Sequence, residues 1–443
     1  MLRKSSLILL SFFYLGCSSS LTDKSSRRAP DWISRQPKDN SFWYGIGVSN
    51  LDSNDPRQTA RQRAFSEVAE QLKVDIKSSL TDVMQARNSN FEEFSEAIIE
   101  TRVDASLEYV ENIDSYRDKK RQYVLARLDK NQYFDKIKRK KDEAKQKAKG
   151  LINKSINQMT SNSLSNISLS MESIYPYIDL FPKIEDPYTD GKQENVMVIA
   201  EKMIRKYNDD IELSFTPSKL SAKAFVDNGK KVTIVANSNS KSSNVANLRL
   251  SIRLNDEVTN DFIMLDKNGM TEYQLSRLEA PSGNHSLIFS LDYKSMMSKK
   301  ALELVRLIPR EYSLDISLEA PKIYFDGNVS NLGKKIKNSP IYSSLKECLE
   351  DNYSSVFVNS KSNADILLNL EVMTEERAAR LGENFPYFIY SVGSISMKNQ
   401  KTKEEILNSR FKDMKGADFS SKEKAGINAL KKLSQNMNID ICD

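Results

Sequence analysis

Histidine is almost missing from this chain: His285 is the single copy in 443 residues, and cysteine appears only as Cys17, Cys348 and Cys442. Zinc centres draw mainly on those two residue types, so one histidine and widely separated cysteines argue against a catalytic zinc. A serine or cysteine nucleophile would depend on His285, and the chain has no G-x-S-x-G elbow to support one. His285 follows Pro281-Ser282-Gly283-Asn284 and reads as an exposed residue at the start of a strand. Phosphate-cradling patterns are also absent: there is no G-x-x-x-x-G-K-[ST], no G-x-G-x-x-G after a strand and no EF-hand spacing. Gly45-Ile46-Gly47 lacks both the third glycine and the helix that would sit under a phosphate. Beyond Cys17, no apolar run approaches the length of a transmembrane helix. These absences leave no cofactor, no metal ligand and no catalytic residue to assign.

Strong charge of one sign is lacking too. Sixty-six basic residues face 60 acidic ones, and a formal charge of +6 spread over the whole length is not the concentrated field of a nucleic-acid binder. Hydrophobic residues make up 39% of the chain, with 18 Phe and 18 Tyr, enough to build packed cores. The length suggests roughly two to four domains.

What is present begins at the amino end. Arg3-Lys4 is a basic pair, Leu7 to Leu15 is an almost unbroken apolar run, and Gly16 precedes Cys17. That order is a secretory leader, with an apolar run too short to span a bilayer. It resembles the lipoprotein class of bacterial signal, in which the cysteine is diacylated and the chain is cut before it; Tyr14 stands where that pattern usually has leucine. The resemblance makes residues 1–16 a signal peptide and Cys17 the lipidation site. It implies a membrane partner reached through the acylated cysteine. Ser18 follows instead of an inner-membrane-retaining aspartate, which points to a periplasm-facing outer-membrane lipoprotein. Residues 17–29 are polar and serine-rich, the composition of a flexible tether.

A first α/β domain is expected over residues 30–135. Trp43 to Ser49 reads as a strand whose two glycines allow close backbone approach. Asp55-Pro56 starts a helix, and Ala60, Ala64, Val68 and Leu72 form a small-residue stripe suited to lying close on a sheet. Strands are expected at 72–80, 103–113 and 122–128. Trp32, Trp43 and Tyr44 read as a plug at the end of a small core, with an exposed recognition patch as the alternative. The segments Pro30-Asp31-Trp32-Ile33, Tyr44-Gly45-Ile46-Gly47-Val48, Gln71-Leu72-Lys73-Val74 and Tyr123-Val124-Leu125-Ala126-Arg127-Leu128-Asp129, with Ala60 and Ala64, resemble the LPP20 family of bacterial envelope lipoproteins. That resemblance implies a β-α-β-β-β module with a trailing helix, flagellar-type or other envelope partners, and no catalytic residues.

Residues 136–210 read as a helical segment broken by the prolines between 175 and 187. Phe134, Ile137, Ala144, Ala148, Leu151, Ile152, Ile156 and Met159 mark its apolar side. Eight basic and two acidic residues lie between Lys136 and Lys149, and they read as a solvated helix face. Across 211–319 the period changes to two, as in Leu248, Leu250, Ile252 and Leu254, and the repeated strands suggest an immunoglobulin-like β-sandwich. Residues 320–443 mix both periods and read as a small C-terminal α/β domain, similar to TolB-amino-terminal or LpoB-type envelope domains. In it Ser420 and Glu423 form a capping box opening the last helix. Cys348 and Cys442 make an even pair in an oxidising compartment; a disulfide and two free thiols both fit.

The expectation is therefore an α+β multidomain, lipid-anchored envelope protein with a structural, assembly or interaction role toward proteins or peptidoglycan. Two alternatives remain open: a cell-wall-directed hydrolase with an unrecognised carboxylate site, and a glycan- or peptide-binding module.

Overall fold

The computed structural model describes residues 28–85, 91–240, 244–255, 257–337, 339–411 and 413–436. It is a mixed α and β structure with strands in several sheets, the α+β class implied by the changing period of the sequence. Two compact units divide it: residues up to Gln146 with Ile174–Pro182, and Lys147–Ser173 with everything from Lys183 onward. No helix among the described residues is long and apolar enough to cross a membrane.

The first unit runs β1 (Phe42–Asn50), α1 (Pro56–Gln85), α2 (Phe91–Leu107), β2 (Glu111–Arg117) and β3 (Arg121–Asp129), then enters α3 (Lys130–Asn153). Its antiparallel sheet has the order β1-β3-β2. Trp43, Gly45, Gly47 and Ser49 alternate onto the covered face of β1, opposite Leu128, Ala126, Val124 and Gln122 of β3. The alanine stripe meets this face with almost no side chain between the backbones. A Cβ added to Gly45 would lie 2.0 Å from the Ala64 carbonyl oxygen, and one on Gly47 would lie 1.8 Å from that of Ala60. Further along α1, Val68, Leu72, Ile76 and Leu80 are at most 3% exposed. Each such buried side chain contributes roughly 1.5–3 kcal/mol relative to exposure.

A second stripe of α1 closes the sheet edge. Arg63 donates to the Val48 carbonyl, Glu67 accepts from the Ile46 amide, and Gln71 donates to the Tyr44 carbonyl. These residues are four apart and so share one helix face, which satisfies backbone groups that an edge strand would otherwise offer to another chain.

The expected strand at 72–80 is instead the continuation of α1 to Gln85, and the one at 103–113 is divided between the end of α2 and β2. The observed order is therefore β-α-α-β-β-α rather than β-α-β-β-β-α. Alternation of Leu72, Val74 and Ile76 imitates a strand, but Val74 is 67% exposed while Leu72 and Ile76 are buried, so the three do not share the one face a strand would give them. In α2 the buried side is Ser95, Ile98, Ile99, Arg102, Val103 and Ser106, and its polar members hide the helical period.

In the second unit, β4 (Gln158–Thr160) and α4 (Ser161–Ile174) follow α3, and a 3-10 turn at Tyr175–Leu180 belongs to the first unit. The hairpin β5 (Lys183–Glu185) and β6 (Gln193–Asn195) leads to α5 (Val196–Asp210), where Asn195 caps the helix by accepting from the Met197 amide. Next come β7 (Ile211–Thr216), β8 (Lys219–Lys223), β9 (Lys230–Ser238), β10 (Asn244–Ala246), β11 (Arg249–Leu254), β12 (Glu257–Met264), β13 (Met270–Leu275) and β14 (Gly283–Leu291). Short helices α6 (Tyr293–Met296) and α7 (Lys299–Val305) precede β15 (Glu311–Glu319). One sheet has the order β12-β11-β14-β15-β8 and another β13-β9-β7. Phe289 of the first meets Phe215 and Tyr273 of the second at 5.1 and 5.9 Å, so the alternating apolar faces share a core.

The remainder holds β16 (Lys322–Asn331), β17 (Lys334–Lys335), α8 (Pro340–Tyr353), β18 (Val356–Val358), β19 (Ile366–Glu375), β20 (Tyr387–Asn399), β21 (Glu405–Arg410), β22 (Met414–Asp418) and α9 (Lys422–Gln435). All seven strands join one sheet, with β16 and β19 parallel. The chain returning along β20 is split into β21 and β22, both paired with β20, around the buried Phe411. Helix α9 is capped by Ser421, whose hydroxyl accepts from the Lys424 amide; Ser420 is held by Asp418 instead. Asp365 fastens this part to the preceding strands by accepting from Lys223 Nζ and the Lys322 amide, each at 2.9 Å.

Candidate functional site

In the first unit a cleft of about 680 Å³ opens beside the carboxyl half of α1, within the size range of small-ligand sites. Its floor is Trp43, delivered by β1 and only 4% exposed. The indole donates to Asp75 at 2.9 Å and meets the Tyr133 ring edge-on at 5.3 Å. Phe134 stands 6.1 Å from the same indole, and at 58% exposure it forms an apolar lip. Such a residue is out of place in the packed stripe expected for α3. Ile137 and Leu72 supply further aliphatic wall.

The polar side of the cleft is already paired. Arg102 of α2 grips both carboxylate oxygens of Asp179, one of them at 3.0 Å, and its Nε donates to the Pro176 carbonyl at 2.6 Å. Ser79 of α1 adds a hydrogen bond to Asp179 at 2.9 Å. Both partners of the ion pair are almost wholly buried. Burial pushes the Tyr133 hydroxyl up to about 12, although the nearby Arg102 works in the opposite direction. At neutral pH this tyrosine stays a neutral phenol. Lys138 and Lys141 of α3 line the rim. The cleft thus offers stacked aromatic surface, cationic groups at its edge and carboxylates that already have partners. That chemistry suits the binding of a flat or aliphatic group carrying negative charge.

Of the residues singled out from sequence, Cys17 and Cys442 lie outside the described residues. Cys348 sits on α8 and is disulfide-bonded. Trp43 is core and cleft floor at once, whereas Trp32 is half-buried and donates to Asp114 at 3.0 Å. His285 lies on β14, next to the Asn255 side chain and the Pro281 carbonyl oxygen. Within the basic run of α3, Lys136 is buried: it pairs with Glu108, and its ammonium lies 3.6 Å from the centre of the Tyr109 ring. The sequence reading missed Arg102, Asp179 and Tyr133. A charged residue inside an apolar period, here Arg102, was the one available signal.

Among the described residues no group of three His, Cys, Asp or Glu side chains is placed to hold a metal ion. No protein-family model matches the chain, and no curated protein matches it. Among solved structures, the chain is similar to the PelC dodecamer from Paraburkholderia phytofirmans over 26% of its own length and 84% of the other, at 12% identity and a TM-score of 0.18. It is similar to a secreted protein of Helicobacter pylori over 90% of its own length and 96% of the other, at 8% identity and a TM-score of 0.23. An endo-β-1,4-mannanase from Thermotoga petrophila matches over 30% and 27% of the two chains, at 12% identity and a TM-score of 0.16. Likenesses this weak carry no argument about function.

Proposed function

We propose that this chain is a lipid-anchored envelope protein of the bacterial outer membrane, facing the periplasm, with an assembly or interaction role and no catalysis of its own. The observation that carries the reading is the order Arg3-Lys4, Leu7 to Leu15 and Gly16-Cys17. In this reading acyl chains on Cys17 supply the hold, at about 0.8 kcal/mol per buried methylene, and more than one chain is needed for lasting attachment. The first unit is an LPP20-like module, the paired sheets of the second form an immunoglobulin-like sandwich, and the C-terminal sheet is a small envelope α/β domain. Envelope or flagellar-type proteins and peptidoglycan are the partners, and the aromatic cleft of the first unit is a surface suited to receive one.

The hydrolase reading has one specific observation in its favour, the presence of Asp75 and Asp179 in the same cleft. Against it, Asp75 already accepts from Trp43 and Asp179 is held by Arg102 and Ser79. Carboxylate oxygens already engaged by a guanidinium, a hydroxyl or an indole are not free to meet a substrate.

Two experiments test the proposal. Cell fractionation should find the wild-type chain with membranes and the Cys17→Ser chain in the soluble fraction. Incubating the purified Cys17→Ser chain with peptidoglycan should release no soluble fragments. Release that is abolished by Asp75→Asn would replace the proposal with the hydrolase.

A further inference from the structure

A second cleft, of about 540 Å³, lies in the second unit over one face of the five-stranded sheet, bordered by the segment joining α7 to β15. We propose that it binds a small ligand carrying a carboxylate or phosphate on an apolar body. This site is separate from the anchor and from the aromatic cleft.

Its charges are unbalanced. Arg249, Arg253, Lys294 and Arg306 all line it, against the single carboxylate of Asp292. Arg249 approaches Asp292 at 2.9 Å, and Arg253 is paired with Glu311 at 2.7 Å. Among the described residues the side chains of Lys294 and Arg306 have no such partner, which leaves two cations facing the opening. Arg306 is held there in a left-handed backbone conformation, φ 48°, at the end of α7, a strained arrangement for a residue other than glycine.

The site is also built rather than merely charged. The Arg249 guanidinium lies 3.5 Å from the centre of the Phe262 ring, stacked in a fixed position, and Phe262 remains 52% exposed. Arg249 Nε lies 2.9 Å from the Asp292 carboxylate, so the guanidinium is fixed between a carboxylate and a ring. Phe262 and Leu302 give the ligand an apolar wall, while the free cations select negative charge.

The test uses the full Cys17→Ser chain with isotope-labelled leucine methyls, titrated with octanoate, octyl phosphate, inorganic phosphate and octyltrimethylammonium. The proposal expects saturable shifts at Leu302 and Leu307 with octanoate or octyl phosphate, whichever head group is preferred, and weaker ones with inorganic phosphate. Octyltrimethylammonium should leave those methyls unmoved. Loss of one charge-assisted contact in Lys294→Glu or Arg306→Glu should weaken binding by about tenfold, while Lys77→Glu, at an exposed position of α1 outside both clefts, leaves it unchanged. Equal shifts with the cationic probe, no shift with either anionic amphiphile, or indifference to both charge reversals would each overturn the assignment. Saturation by inorganic phosphate as strong as by octyl phosphate would overturn the apolar half of it.

Discussion

Arg102 and Asp179, 77 residues apart in sequence, form a two-pronged ion pair in the interior of the first unit. The pair fastens the middle of α2 to the turn at Tyr175–Leu180, and Ser79 of α1 shares the same carboxylate. Removing one partner leaves the other charged, buried and alone. We therefore expect Arg102→Met to destabilise the first unit by about 3–5 kcal/mol, read as a lowered denaturant midpoint. Replacing both partners, in Arg102→Met with Asp179→Leu, should destabilise it less than either single change, because no orphaned charge remains. A double variant as unstable as the two single losses combined would contradict this account of the pair.

The contact between β1 and α1 makes a second prediction. A methyl group on Gly47 would overlap the Ala60 carbonyl, and backbone cannot give way as a flexible side chain can. Gly47→Ala should therefore destabilise by more than about 3 kcal/mol, in the range of severe core overpacking. Gly150 on α3 has nothing within 4 Å of its would-be Cβ, and Gly150→Ala should raise stability by roughly 0.5–1 kcal/mol. Thermal melts of the two variants side by side check both signs.

Asp210, at the end of α5, gives a pH dependence to the second unit. Burial alone would raise its pKa, but the hydroxyl of Ser238 and the amide and hydroxyl of Ser240 outweigh that and hold it below the ordinary value of 3.8. A depressed carboxyl contributes stability that is fully present above its unfolded pKa and is lost as pH falls through the folded one. The melting temperature of the second unit should thus decline as pH drops below about 4. Asp210→Asn should lower stability at neutral pH and flatten that acid decline. An unchanged acid slope in the variant would assign the loss to other groups.

Much of this architecture was legible in the residues. The stripe Ala60, Ala64, Val68 and Leu72 announced a helix lying close on a sheet, and Gly45 and Gly47 announced the surface that receives it. The strict alternation in β11, β15 and β19 was equally plain, because each of these strands has one covered face. Misreadings arose where two periods coincide or a polar residue is buried. Leu72, Val74 and Ile76 satisfy a period of two, and only tertiary context shows Val74 facing solvent. Arg102 interrupts the apolar side of α2 because its charge is neutralised by a partner far along the chain. Ser420 and Ser421 have the same capping chemistry, and Asp418 decides between them by taking Ser420. The aromatic cleft was half visible, since Trp43 was singled out. Its polar wall was not, because no local pattern links positions 79, 102 and 179.

Everything said about compartment rests on the chemistry of Cys17. Intact-mass and peptide mass spectrometry of the chain purified from membranes tests it most directly. The account predicts a mature chain beginning at Cys17 with diacylglycerol on the sulfur. A mature terminus at another residue, or an unmodified Cys17 thiol, would contradict it.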